Sequence, residues 1–440
     1  MWKKMISGYF AVPLIYRIVT AFILGIAAGI LCSRLTTVYG EGVAECVTGV
    51  LAPFGTVLIA MLKMVVIPII FFSLVTGAAS LPLKQFGKLG LMVVVWYFLT
   101  SVFAAAFGTG LAYLMNPAME TDASLSGSLL SQAGNMKAGA AGGPSFLQFL
   151  NDLFMNPFQA LAEGKFLPII VFSILFGLAA RTVIEKPGAK QPMSGAVEKL
   201  LEILDAALHV SYQIIDWVME YFPVGVFALT TVNFTLYGPE LFGPYLQIAG
   251  CVVLGVLLMI FLIYPLLVLI LCRENPYRLL NKLKEPIITA FLTRSSAATL
   301  PISLRTAGEL RVRPELSGFA LPLGATVNMD GACIHLPVFA VLAVNMFGLP
   351  FGIFQILFLI FSVVLASIGA GGIPGGSIFL LFLVLTNLGL PDAQVAMVVA
   401  LAIGINPLLD MFETACNVTG DNICNYIVAR RGGMMESPEK

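Results

Sequence analysis

Long apolar runs constrain the fold of this chain more than any motif in it. Runs of this kind lie at residues 13–33, 50–80, 88–115, 166–182, 205–235 and 245–272. A helix of about 20 apolar residues crosses the ~30 Å hydrocarbon core of a bilayer. Because backbone polar groups in lipid must be satisfied within the segment, the runs predict membrane-spanning helices.

The composition supports an integral membrane protein. Hydrophobic residues make up 59% of the chain and charged residues 11%, whereas soluble domains hold about 45–50% and about 25%. The net charge is zero, so no nucleic-acid partner is predicted. The seven cysteines show no C-x-x-C pair, and neither G-x-S-x-G nor H-E-x-x-H occurs, so we do not expect an enzyme.

Basic residues indicate the orientation in the membrane. The first apolar run has no A-x-A cleavage site before Arg34, so we interpret it as a retained span, not a signal peptide. Basic residues mark alternate loops: Lys3, Lys4, Lys84, Lys88, Arg181, Lys186, Lys190, Arg273, Arg278, Lys282 and Lys284. The positive-inside rule then predicts a multi-pass protein of the cytoplasmic membrane, with both termini cytoplasmic.

Two apolar segments of the carboxy-terminal half are broken at their centres. Residues 286–304 contain Ser-Ala-Ala-Thr-Leu-Pro, and residues 362–391 contain Gly-Ala-Gly-Gly-Ile-Pro-Gly-Gly. Unpaired backbone groups at membrane depth are tolerated only inside protein or beside a water-filled cavity. Interruptions in corresponding positions of two repeats indicate the binding site of a transporter. The sequence therefore predicts re-entrant hairpins at 276–311 and 353–391, in inverted repeats.

No Lys or Arg occurs between Arg313 and Arg430, yet four acids lie there in very apolar surroundings: Asp330, Asp410, Glu413 and Asp421. A charged group at the bilayer centre costs about 2.5 kcal/mol or more and usually has a partner. Since no basic residue nearby in sequence can be that partner, we expect a bound cation or a substrate ammonium to supply the positive charge. This favours a cation-coupled transporter, with a cation channel as the alternative.

The last span carries its polar residues on one face. Intervals of 4, 3, 4 and 4 residues separate Asn406, Asp410, Glu413, Asn417 and Asp421, and Thr414 lies beside them. A face that only hydrogen-bonds to other helices is the alternative, but three carboxylates on one face would repel each other without a cation. Oxygen ligands suit hard cations, and helix N-termini supply N–H groups for an anionic carboxylate.

Several motifs point to one family. They are Asn156-Pro157-Phe158, Phe222-Pro223-Val224-Gly225-Val226-Phe227, Thr293-Arg294-Ser295-Ser296, Gly324-Ala325-Thr326-Val327-Asn328-Met329-Asp330-Gly331, Ile373-Pro374-Gly375 and Asn417-Val418-Thr419-Gly420-Asp421. Together they resemble the dicarboxylate/amino acid:cation symporter family of glutamate/aspartate and neutral amino acid transporters. The resemblance implies an all-α fold with eight transmembrane helices plus two re-entrant helical hairpins. It also implies a homotrimer and Na+ as the coupling ion, with the proton as a further candidate.

The resemblance implies three sodium sites. The first would use backbone carbonyls and the carboxylate of the last span: Gly324, Asn328, Asn417 and Asp421. The second, under the outer hairpin, would use Thr326 with carbonyls of Ser367, Ile368 and Ala370. The third would use Tyr97, Thr100 and Ser101 with Asn328 and Asp330.

The resemblance also implies the substrate pocket, made of Ser295, Ser296, Ala332, Ile373, Pro374, Gly375, Asp410, Glu413, Thr414 and Asn417. The Ser296 amide and the Asn417 side chain would hold the α-carboxylate. Asp410, assisted by Thr414, would hold the α-ammonium. We expect Arg294 to be a snorkelling or capping residue, and His335 to be packed or hydrogen-bonded.

Two departures from the family pattern bear on the substrate. Members that carry glutamate or aspartate have an Arg in place of Glu413 and a Thr in place of Ala332. Since neighbouring buried carboxylates disfavour each other, an acidic substrate is not expected. The segment Glu413-Thr414-Ala415 is similar to the serine/threonine:sodium branch, in which Glu413 would accept a hydrogen bond from a substrate hydroxyl. Pairing of Glu413 with a cationic side chain or with the distal ammonium of cystine is the alternative.

Finally, the resemblance implies two domains and an elevator mechanism of alternating access. A scaffold would comprise 1–87 and 151–241, and a transport domain would comprise 88–115 and 242–431. The remaining parts would be an external flexible loop at 116–150 and a cytoplasmic tail at 432–440.

Overall fold

A computed structural model describes residues 12–79, 87–118, 154–163, 165–185, 191–368 and 375–436. Within these ranges the chain is helical, and the only extended pairing is one isolated bridge between Val312 and Met435. The predicted all-α class is therefore confirmed. Most of the predicted external loop lies outside the described residues, as does the tip of the outer hairpin at 369–374, which includes Ala370, Ile373 and Pro374.

The α-helices are numbered along the described part of the chain. The first six are α1 (Leu14–Tyr39), α2 (Gly42–Ala79), α3 (Gly87–Met115), α4 (Pro157–Glu163), α5 (Phe166–Glu185) and α6 (Gln191–Tyr237). The next five are α7 (Phe242–Leu258), α8 (Tyr264–Cys272), α9 (Pro276–Lys282), α10 (Lys284–Thr293) and α11 (Ser296–Glu309). The last five are α12 (Pro314–Val327), α13 (Asp330–Phe347), α14 (Ile353–Ser367), α15 (Gly376–Asn387) and α16 (Asp392–Gly432).

Seven continuous helical segments of the described chain are long and apolar enough to cross a membrane. One of them, Met193–Cys272, has 80 residues. At 1.5 Å per residue it would be about 120 Å long, several times a bilayer, so it holds two spans that meet at the 3-10 turn Gly238–Leu241. The segments thus accommodate the eight predicted spans.

Two helices extend well beyond the apolar runs that predicted them. The first predicted loop, near 34–46, is mostly helix, because α1 continues to Tyr39 and α2 begins at Gly42. Gly40, at φ 91°, provides the left-handed conformation that ends α1. Likewise α6 begins at Gln191, before the run at 205–235. Hydrophobicity marks where a helix contacts lipid, whereas its hydrogen-bonding pattern continues through polar residues.

The inner hairpin breaks over a shorter stretch than its composition suggested. Arg294, in the left-handed conformation at φ 56°, ends α10, and Ser295 begins α11 by accepting a hydrogen bond from the Ala298 N–H at 3.2 Å. Pro301 lies inside α11 and does not interrupt it. The break is set by the Ser295 cap, so the proline was a misleading signal.

Two further irregularities were not predicted. The span after the inner hairpin is itself broken, because Asn328 and Met329 leave helical geometry between α12 and α13. A π-helical turn, Met259–Ile263, joins α7 to α8. Such turns are frequent at functional sites, and this one immediately precedes Tyr264.

Burial places the polar residues at the centre of the molecule. In the most apolar window of α12–α13, 94% of residues are buried, against 22% in α1. Helix α16 packs against both hairpins as well as α12 and α13. On the other side, α1 and α2 pack along α6. Asp330, Asp410, Glu413 and Asp421 therefore face protein, not lipid.

Candidate functional site

The carboxylate of Asp330 is completely buried between two hydroxyl groups. Ser101 on α3 donates a hydrogen bond to Oδ1 at 3.1 Å, and Tyr264 at the start of α8 donates one to Oδ2 at 2.7 Å. The structure thus brings Ser101 to Asp330, as expected for the third sodium site. Tyr264 was missed by the sequence reasoning, because nothing in the apolar run 245–272 indicates the π turn that precedes it.

Asn328 connects this site to the second acid. Its side-chain oxygen accepts a hydrogen bond from Thr100 at 3.2 Å, and its Nδ2 donates to Asp421 Oδ1 at 2.9 Å. The non-helical backbone at Asn328 lets one side chain reach both α3 and α16. In the described part of the chain, no ion pair involves Asp330 or Asp421.

Gly324 lies against the Asp421 carboxylate because it has no side chain. A Cβ there would lie 2.5 Å from Asp421 Oδ1 and 2.7 Å from the Tyr97 hydroxyl. Tyr97 itself donates to the Ala320 carbonyl at 2.8 Å. Gly324 and Asn328 of the predicted first sodium site therefore lie beside Asp421, and the Tyr97 hydroxyl lies near the same acid.

The predicted second sodium site is only partly described. Thr326 Oγ1 donates to the Leu323 carbonyl at 2.9 Å, and Ser367 Oγ donates to the Val364 carbonyl at 2.8 Å. Ile368 is described, but Ala370 is not. These bonds stay within the helices that carry the residues, so this site stays a prediction.

Asp410 contacts both hairpins. The Gly375 N–H of the outer hairpin donates to Asp410 Oδ2 at 3.0 Å, and Arg294 Nη1 of the inner hairpin lies 3.7 Å from the same oxygen. Arg294 is only 7% exposed. The basic residue beside Asp410 is distant from it in sequence, and the left-handed turn at the hairpin tip brings it there. Arg294 ends its helix, as expected for a capping residue, but it does not snorkel.

Glu413 also has a basic partner. His335 Nδ1 lies 2.7 Å from Glu413 Oε2, and both side chains are buried. His335 is thus hydrogen-bonded, as expected. The two residues are far apart in sequence, so only the packing of α13 against α16 reveals the pair.

The remaining predicted pocket residues surround this acid pair. Asn417 Oδ1 accepts a hydrogen bond from the Gly331 N–H at 2.7 Å, and Thr414 Oγ1 donates to the Asp410 carbonyl at 2.8 Å. Ser296 Oγ is buried and has no hydrogen-bond partner among the described residues. Three other residues were singled out from the sequence. Ser295 caps α11, Ala332 is fully buried, and Asn406, on the polar face of α16, accepts a hydrogen bond from Ser377 at 3.3 Å.

The donor atoms suit a hard cation. Hydroxyl oxygens of Ser101 and Tyr264 contact the Asp330 carboxylate, and the Asn328 amide contacts Thr100 through its oxygen and Asp421 through its nitrogen. Carboxylate, carbonyl and hydroxyl oxygens are typical ligands of such ions. Among the residues that the structure describes, no group of three or more His, Cys, Asp or Glu could hold a metal ion. The residues present fit sodium, and the main chain at Gly324 approaches the Asp421 carboxylate.

Comparisons with known proteins assign the family. The sequence profile of the sodium:dicarboxylate symporter family matches residues 14–431, which include every predicted site residue. The chain is 29% identical to the "Neutral amino acid transporter B(0)" of Oryctolagus cuniculus, over 93% of this chain and 78% of that protein.

Two other relatives are also named as transporters of amino acids. Identity is 28% to the "Excitatory amino acid transporter 3" of Mus musculus, over 98% of this chain and 87% of that protein. Identity is 26% to the "Proton/glutamate-aspartate symporter" of Escherichia coli (strain K12), over 95% of this chain and 92% of that protein. The resemblance inferred from the motifs is confirmed: the chain belongs to the sodium:dicarboxylate symporter family and is a membrane transporter, not an enzyme.

Proposed function

We propose that this protein is a sodium-coupled symporter of small neutral amino acids such as serine and threonine. The observation that carries the proposal is the composition of the pocket around Glu413. There the side chains that face a substrate include Asp410, Glu413 and the small Ala332. An acidic substrate would add a third carboxylate to two that are already buried, and like charges at close range disfavour each other strongly.

The main-chain groups of an amino acid have matching partners on both sides of this pocket. Asp410 provides an anion for the α-ammonium. The first turn of α11, with the Ser296 amide, provides unpaired N–H groups for the α-carboxylate, and Asn417 provides a side-chain amide nearby. We propose Ser295, Ser296, Ala332, Ile373, Pro374, Gly375, Asp410, Glu413, Thr414 and Asn417 as the substrate-binding set.

Sodium would supply the positive charge that two buried acids lack. Among the described residues, Asp330 and Asp421 receive hydrogen bonds from neutral donors, namely Ser101, Tyr264 and Asn328. Charged groups in such surroundings are costly unless they are paired. We propose sodium ions at the first and third predicted sites and, with the donors Thr326, Ser367, Ile368 and Ala370, at the second; the proton is a further candidate coupling ion.

Coupling between ions and substrate follows from shared residues. Asn417 belongs to the substrate set through its side-chain amide and to a sodium set through its backbone carbonyl. Its side-chain oxygen also accepts a hydrogen bond from the Gly331 N–H. A ligand that orders this residue favours binding of the other. The effect is reciprocal, since each ligand changes the affinity of the other by the same factor.

Close approaches of the backbone within each of the two proposed domains support an elevator movement of a transport domain against a scaffold. Within the proposed scaffold, a Cβ at Gly177 would lie 2.4 Å from the Val75 carbonyl oxygen. Within the proposed transport domain, one at Gly108 would lie 2.7 Å from Ile334 Cα. Between the two groups, Lys63 pairs with the exposed Asp392 at 3.5 Å, and such exposed pairs contribute little.

Assembly and orientation complete the proposal. We propose a homotrimer in the cytoplasmic membrane, with both termini cytoplasmic, in line with the distribution of basic residues in the loops. The names of the relatives include both neutral and acidic substrates, so the proposed substrate class depends on the pocket.

The test is uptake of labelled serine, lysine, cystine and aspartate into proteoliposomes under an inward sodium gradient. Serine accumulation that needs sodium and is blocked by excess threonine is the expected result. Accumulation of lysine or cystine would instead assign Glu413 to an ammonium group, and accumulation of aspartate would refute the pocket assignment. A sodium current without accumulation of any of these amino acids would indicate a channel.

A further inference from the structure

The pair formed by His335 and Glu413 is the least expected feature of the pocket. It joins α13 to α16 where these helices are closest, since a Cβ at Gly331 would lie 2.3 Å from the Glu413 carbonyl oxygen. His335 is 2% exposed and Glu413 is 4% exposed. The histidine ring also contacts Phe339, at 5.1 Å between ring centroids. The position of both side chains is therefore fixed by the packing of the two helices.

His335 binds only one of the two carboxylate oxygens. The 2.7 Å contact is made to Oε2. In the described part of the chain, Oε1 has no hydrogen-bond partner, and His335 Nε2 is buried without one. Because an ionised carboxylate has about four acceptor positions, Oε1 remains available to a donor group of a substrate.

Other ionisable groups lie close to the pair. Asp410 lies one helical turn before Glu413 on α16, and Arg294 approaches Asp410 from the inner hairpin. The thiols of Cys333 on α13 and Cys416 on α16 are also near Glu413. Among the described residues, Arg294 thus lies beside Asp410, whereas His335 is the hydrogen-bond partner of Glu413.

We propose that His335 is a specificity-determining positioning residue, whose hydrogen bond to Oε2 holds the Glu413 carboxylate so that Oε1 accepts a substrate hydroxyl. The inference rests on the proposed function and names the group that selects within it. A buried carboxylate attracts a cation strongly when it has no other partner. Without His335, both oxygens of the carboxylate would be free to bind the ammonium of a lysine side chain.

The test compares three single variants and one double variant in proteoliposomes with sodium-driven serine uptake. His335→Gln keeps a side-chain hydrogen-bond donor, and His335→Phe removes it. Glu413→Gln removes the carboxylate. We expect His335→Phe to raise the KM for serine by about tenfold or more, because a hydrogen bond to the buried carboxylate is lost, and His335→Gln to raise it less. In His335→Phe, lysine should inhibit serine uptake at concentrations at least about tenfold lower than in the unmodified protein.

The double variant His335→Phe/Glu413→Gln identifies the group to which lysine binds. Inhibition by lysine should disappear in it, and sodium-dependent thermal stabilisation should persist in every variant as evidence of folding. If His335→Gln raises the KM for serine as much as His335→Phe does, the role of the hydrogen bond is refuted. If His335→Phe folds, binds sodium and still rejects lysine, the proposal is refuted as well. If the unmodified protein takes up no serine at all, the proposed function itself fails, which is a different result.

Discussion

The closest approach between α13 and α16 gives the sharpest prediction. A Cβ at Gly331 would lie 2.3 Å from the carbonyl oxygen of Glu413 and 2.8 Å from its carbonyl carbon and Cα. All three are backbone atoms of a long buried helix, so they cannot move as a flexible side chain would. To reach an ordinary contact of 3.4 Å the helices must separate by 1.1 Å, which is 3.4 minus 2.3. Gly331→Ala therefore forces apart the two helices that carry the pocket.

The expected cost has two parts. Overfilling a packed core costs about 1–3 kcal/mol, which lowers the stability of the purified protein. A separation of about 1 Å also lengthens the bond between the Gly331 N–H and Asn417 Oδ1, now 2.7 Å, toward or beyond the limit of a hydrogen bond. Since Asn417 is part of the proposed substrate set, serine uptake should fall by about tenfold or more for a change of about 1.4 kcal/mol.

Gly318→Ala is the matched control. Gly318 lies in α12, where a Cβ would meet nothing within 4 Å, so the substitution should be neutral or stabilise by about 0.4–1 kcal/mol through the unfolded chain. The assay is thermal unfolding at a fixed scan rate, together with serine uptake in proteoliposomes. Equal unfolding temperatures and equal serine KM values for the two variants would refute this packing of α13 against α16.

Three other substitutions test the site. In Asp421→Asn, the sodium concentration that gives half of the rise in unfolding temperature should increase at least about tenfold, because a charged ligand becomes neutral. If this concentration is unchanged, Asp421 does not belong to the sodium site. Tyr264→Phe deletes the 2.7 Å bond to Asp330 and should destabilise the protein by about 1.5–3 kcal/mol, as seen in thermal unfolding against Tyr113→Phe, whose side chain is exposed. Arg294→Gln removes the arginine beside Asp410, so the unfolding temperature should fall without substrate and recover in part with saturating serine and sodium. If it does not recover, Asp410 does not bind the substrate ammonium.

The class of protein and most of the proposed binding groups could be predicted from the amino-acid sequence. Apolar runs and alternating basic loops predict the membrane helices, since both report directly on lipid and on the cytoplasmic face. The spacing of Asp410, Glu413, Asn417 and Asp421 places them on one helical face without any tertiary information. Composition also located both hairpins, although Pro301 was an incorrect marker for the break in the first.

The ends of helices were less predictable. Helix α1 extends to Tyr39 and α6 begins at Gln191 because polar residues continue a helix outside the hydrocarbon core. The break at Asn328 and the π turn before Tyr264 have no compositional signal. Both depend on contacts with other helices, which compensate for the lost regular geometry.

Which of the buried acids has a basic partner depends on how the helices pack. From sequence, Asp330, Asp410, Glu413 and Asp421 are equivalent, being acids in apolar surroundings with no basic neighbour. Packing separates them, because Asp410 receives Arg294 and Glu413 receives His335, whereas Asp330 and Asp421 receive neutral donors alone. The physical reason is that electrostatic energy depends on distance in space and on burial, and residues far apart along the chain come into contact only when the helices pack.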